Sequence, residues 1–137
     1  MENLTTTTGT ATGRSALPAV AIAAIGAIAV NLIVLTIGTA AGAEMVAAPG
    51  GEPQSVDARA VVVATLIPFV AGALLLRLVA GRWAGARRAL SWVGLAVGVL
   101  STAAPLTLSV DLATGITLAA MHVAAGVAWF VAVARSR

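Results

Sequence analysis

Cysteine, lysine and tyrosine are absent from this chain, and histidine occurs once, at His122. Without cysteine there is no disulfide framework, thiolate nucleophile or cysteine metal site. One histidine does not complete a metal site within a single chain. Charge is scarce as well: 9% of residues are charged, against roughly a quarter in a soluble domain. The acidic residues all lie outside the long apolar runs, so a proton-coupled exporter built on a membrane-embedded carboxylate is disfavoured. There is no G-x-S-x-G and no P-loop lysine. Ser91, Ser101 and Ser109 have no acid at the depth of His122, because Asp111 is 11 residues from it, about 16 Å along a helix. The expectation is a protein that is not an enzyme and carries no metal or cofactor. The pI is near 11.5, yet the eight basic residues are spread too thinly to track a nucleic-acid groove. No nucleic-acid partner is expected.

Apolar sequence is what the chain has in quantity. Of its 137 residues 60% are hydrophobic, and the mean hydropathy is +1.03. A soluble chain of this composition would expose large apolar patches and aggregate. Four uncharged runs are each long enough for a spanning helix, which needs about 20 residues. They predict helices over 17–41, 58–79, 89–110 and 112–134. The fold class is therefore all-α, a polytopic four-helix up-down membrane bundle in one transmembrane domain over 17–135. Residues 1–16, "MENLTTTTGTATGRSA", are Thr-rich and aperiodic and read as a disordered tail. The loop 42–59 carries Pro, Gly and four charges, and reads as a solvated connection with some capacity to meet a partner.

Charge placement sets the expected orientation. Arg14, Arg77, Arg82, Arg87, Arg88, Arg135 and Arg137 fall on one side of four spans. Glu44, Glu52, Asp57 and Asp111 fall on the other, with Arg59. Basic residues are retained on the cytoplasmic side, so both termini are expected inside, in a bacterial inner membrane. Trp83 and Trp92 flank the inner boundary, and Trp129, beside Phe130, reads as part of the same interfacial belt. Arg14, an apolar run and "AGA" at 41–43 imitate a cleaved signal peptide. That run spans 17–41, longer than the about 7–15 residues of a signal core, so an uncleaved first helix is expected.

The helices place polar or helix-disturbing groups near one depth: Asn31 in the first, Thr65 and Pro68 in the second, Ser101, Thr102 and Pro105 in the third, and His122 in the fourth. An uncompensated polar group in hydrocarbon costs several kcal/mol. These groups are expected to face inward and bond one another, with His122 and Asn31 as the natural pair. Pro68 and Pro105 are expected kinks that free the carbonyls of residues 64 and 101. The bland reading is a polar clasp that fixes helix register. The sharper one is a mid-membrane site around His122, Asn31, Thr65, Ser101 and Thr102. Gly94 and Gly98 are expected at a helix contact.

The stretches "SVDARAVVVATLIPFVAGALLLRLV", "ARRALSWVGLAVGVLSTAAPL" and "TLAAMHVAAGVAWFVAVAR" carry a family resemblance. Over residues 17–135 the chain resembles the small actinobacterial membrane proteins grouped as domain of unknown function 6069. The all-arginine, Ala/Val-rich composition suits a GC-rich genome of that kind. The resemblance implies the four-helix fold and the membrane location, and no activity, substrate or catalytic residue. The leading expectation is a non-enzymatic, structural or accessory membrane protein, whose partners are the lipid bilayer and a second copy or a larger membrane protein. The alternative is a small-solute, proton or lipid binding or transport protein using the site around His122.

Overall fold

The computed structural model describes residues 16–136. The Thr-rich tail lies outside the described residues, apart from Ala16, which opens the first helix. The elements are α1 (Ala16–Ala40), β1 (Val46–Ala47), β2 (Gln54–Ser55), α2 (Ala58–Val79), α3 (Ala86–Leu100), α4 (Ala103–Leu108) and α5 (Leu112–Arg135). Counting α3 and α4 as one span, four helices are long and apolar enough to cross a membrane. The protein is an all-α, multi-pass membrane bundle.

Each helix contributes a stripe of small or branched residues to the interior. In α1 the buried positions are Ala16, Val20, Ala24, Ala27, Asn31 and Gly38, spaced so that they share one face. In α2 they are Val61, Thr65, Phe69 and Leu76. The large side chains of α1, such as Ile22, Ile25 and Ile33, point outward. Burying them would yield nothing, because lipid is as apolar as a protein core, so close packing of small residues holds the helices together. The centre of the bundle is α5, which packs against α1, α3 and α4. By contrast α2 leans on α1 and scarcely touches α3.

The third span departs from the expectation of one helix over 89–110. It starts earlier, at Ala86, and divides into α3 and α4 around Ser101 and Thr102. The cause is Pro105, which has no N–H for the Ser101 carbonyl. That carbonyl receives a long bond of 3.3 Å from the Ala104 N–H instead. The other proline, Pro68, lies inside α2, which runs as one helix from Ala58 to Val79.

The loop between α1 and α2 is a built cap, where the sequence suggests only a solvated connection. β1 and β2 pair antiparallel, with Val46 opposite Ser55. Ala47 bridges to Ser109, which ties the hairpin to the end of α4. Gly42 ends α1 at φ 91, a conformation glycine adopts without strain. Met45 is non-glycine yet has φ 54, and two bonds hold that turn. Its N–H donates to Thr114 Oγ1 at 2.9 Å, and its carbonyl accepts from the Val56 N–H at 2.7 Å. Thr114 is fully buried, and its hydroxyl donates a hydrogen bond to Asp111 Oδ2. Asp111 also caps α5 by accepting from the Thr114 N–H at 2.8 Å. The Thr114 side-chain bond, then the backbone bonds, hold the Asp111 carboxyl below its ordinary value of 3.8. Ala43 and Met45 close over Val61, Leu118 and Met121 as a second small core.

Candidate functional site

At the opposite end of the bundle the helices meet around Trp129. The ring is buried and meets Phe69 edge-on, with centroids 5.8 Å apart. Its Nε1–H donates to the Leu90 carbonyl at 2.9 Å. Trp129 is therefore a core residue, and the interfacial role expected for it is corrected. A buried indole N–H requires an acceptor, and the neighbouring glycines provide the room to reach one. A Cβ on Gly94 would fall 2.0 Å from Trp129 Cδ1, and one on Gly72 would fall 2.4 Å from Cη2. One turn further along α3, a Cβ on Gly98 would lie 2.7 Å from Gly126 Cα. Backbone meets backbone there, so Gly94 and Gly98 both serve the α3–α5 contact, as their spacing predicts.

Between α2 and α3 the bundle does not close. A cavity of about 430 Å³ lies there, with α5 as its floor. Its walls are almost wholly apolar, and the polar side chains on them are Asn31, Thr65, Ser101 and His122. Four of the five residues predicted for a mid-membrane site thus share one space. The fifth, Thr102, is not part of that lining, and its hydroxyl donates back to the Val99 carbonyl at 2.7 Å. Leu75, Val93 and Val97 also line the cavity, and all three are exposed. The opening is therefore sideways, through apolar residues, toward the surface that lipid would cover.

The expected pairing of Asn31 with His122 does not form. Asn31 Nδ2 donates to Thr65 Oγ1 at 2.9 Å, because α1 turns the amide toward α2. Thr65 in turn donates to the Val61 carbonyl at 2.8 Å. His122 stays within its own helix, with Nδ1 2.7 Å from the Leu118 carbonyl. Ser101 Oγ donates to the Gly98 carbonyl at 3.1 Å. Asn31 Oδ1 is left buried with no partner among the described residues. Such an orphan costs about 1–3 kcal/mol, an unusual expense at the wall of a cavity.

The site lacks groups for several chemistries. Among the described residues no Asp, Glu, Lys or Arg lines the cavity. Among the described residues no three potential metal ligands converge. Chain order gives no hint of the α2–α3 opening, and the sequence reading missed it. A signal was present all the same: Val93 and Val97 share a face of α3 that Gly94 and Gly98 do not, so α3 has one close-packing side and one bulky side.

A model of the family of unknown function DUF6069 matches residues 11–137, and the chain belongs to that family. No curated protein and no solved structure matches it.

Proposed function

We propose that this is a non-enzymatic membrane protein that binds a small, largely apolar molecule taken sideways from the bilayer. One observation carries the reading: an apolar cavity of about 430 Å³ that gathers four polar side chains at mid-depth. Binding sites for small molecules have this size and this sparse, convergent polarity. A clasp that merely fixed register would pair all of its polar groups with one another, whereas only Asn31 and Thr65 pair and His122 and Ser101 bond backbone carbonyls of their own segments. The test uses a Trp83→Phe, Trp92→Phe variant in nanodiscs, so that Trp129 is the sole fluorophore. Quenching by 1-bromooctane should saturate, and Ala64→Phe should abolish the saturable component by filling the cavity. Quenching that rises linearly in both proteins would end the reading.

A second reading, an accessory subunit of a membrane assembly, draws on another surface. Ala19, Ala23, Gly26, Ala124 and Ala128 line a shallow trough along α1 and α5. A stripe of small residues lets a partner helix approach closely. If a partner lies there, Gly26→Leu should release it on co-purification and leave the Trp129 quenching intact.

The proposed orientation has both termini and residues 80–85 in the cytoplasm of a bacterial inner membrane. Its support is the gathering of Arg77, Arg82, Arg87, Arg88 and Arg135 at the end of the bundle opposite the hairpin. Since the chain has no cysteine, single-cysteine labelling gives a direct answer. An impermeant maleimide on intact spheroplasts should label Glu52→Cys and spare Arg82→Cys.

A further inference from the structure

The polar groups of the cavity have spent their protons. Thr65 Oγ1 donates to the Val61 carbonyl, so it accepts from Asn31 and the amide must present its nitrogen there. This fixes the direction of the Asn31 side chain and makes the orphaned atom its oxygen. The Leu118 carbonyl can only accept, so His122 Nδ1 carries the proton. In the neutral ring Nε2 is then a bare acceptor, and among the described residues nothing bonds it. The Ser101 proton is committed to the Gly98 carbonyl. Pro68, also on the cavity wall, has no N–H to offer the carbonyl of Ala64 beside it. The only donor hydrogen left is the second one on Asn31 Nδ2, on a nitrogen already turned to Thr65.

We infer that the cavity selects a neutral ligand whose polar head donates hydrogen bonds, an alcohol or phenol on an apolar body, and rejects heads that only accept. The inference rests on the binding reading above and specifies its ligand. An anion would find no arginine or lysine on the lining and at most the second Asn31 Nδ2 hydrogen. A cation would find acceptors but no carboxylate at that depth, where an unpaired charge is costly. An ether, ester or ketone would set its lone pairs against those of His122 and Ser101. A hydroxyl would give Nε2 the hydrogen bond that no described residue gives it.

The experiment compares 4-propylphenol with 4-propylanisole, which has nearly the same shape and no donor. The full chain is placed in nanodiscs with its single histidine labelled with 15N. Occupancy is read from intermolecular NOEs between probe and the Trp129 indole, and donation from the Nε2 resonance of His122. The phenol should give NOEs, shift Nε2 toward lower frequency and bind about fivefold more tightly than the ether, the share of one neutral hydrogen bond. The ether should leave Nε2 unmoved. His122→Phe should keep the NOEs and erase the preference. Equal binding of both probes with no Nε2 shift would overturn the donor inference and leave the binding reading standing. No NOE from either probe would overturn both.

Discussion

Helix α3 meets its two neighbours in opposite ways. Against α5 it presents Gly94 and Gly98, and the contact is so close that a methyl group at Gly98 would strike the backbone of Gly126. It scarcely touches α2, and the two helices stand apart around a cavity that Val93 and Val97 line together with the cavity-facing edge of Gly94 and Gly98. The hydrophobic effect does not separate these outcomes, because valine is as content in lipid as in protein. What separates them is how near the backbones can come. The closed seam has small residues and one ring that fills the space between them. The open side has branched residues, Val93 and Val97, that stay exposed, and the cavity beside them carries the polar groups on its walls.

Three substitutions break or sharpen that contrast, and a fourth serves as a control away from it. Trp129→Ala should be the most damaging, by roughly 3–5 kcal/mol as for other buried tryptophans, because it empties the seam and strips Leu90 of its donor. Gly98→Ala should follow at about 1–3 kcal/mol through overpacking. Both are read as unfolding midpoints in mild detergent, and a Gly98→Ala protein as stable as the parent would show that the seam has slack.

Asp111→Ala lies outside both regions and should lower the unfolding midpoint by less than Gly98→Ala, because α5 loses its helix cap. The parent should show the matching pH dependence. The folded carboxyl sits below 3.8, so its contribution is present above that pH and fades as pH falls through the lower, folded value. The alanine variant should lack this acid limb.

Asn31→Leu should have the smallest effect, within about 0.6 kcal/mol of the parent, the average for a hydrogen bond between membrane helices. It also removes the orphaned oxygen, and Thr65 keeps its bond to Val61. A loss of several kcal/mol would identify Asn31 as the clasp and return the open side to a structural role.

The sequence shows one half of this contrast better than the other. The span 58–79 is read from its hydropathy alone, and the structure places α2 at Ala58–Val79. Gly94 and Gly98 are legible because close approach demands a missing side chain. The partner of Asn31 is not legible. Any of three helices can present a polar group at that depth, and the choice depends on which way α1 is rotated. The rotation of α5 likewise decides whether Trp129 faces lipid or core. The cap was within reach: "PGGEP" between "MVAA" and "QSV" has the turn residues of a hairpin. The charges around it pointed instead to a solvated loop. The fold of the four spans thus follows from composition, and the site depends on azimuth, which one sequence does not encode locally.

The sideways opening of the cavity decides in which solvent affinity has to be counted. A ligand entering between Leu75 and Val97 comes from the hydrocarbon, where it has already been concentrated by its own oil–water partitioning. Lengthening its tail by one methylene should raise the affinity measured against the aqueous phase by about fourfold, from a transfer free energy of about 0.8 kcal/mol. Against mole fraction in lipid the same change should leave it nearly constant. Occupancy would then follow the composition of the membrane, and the protein would respond to what is dissolved in the bilayer more than to what is dissolved in the cell.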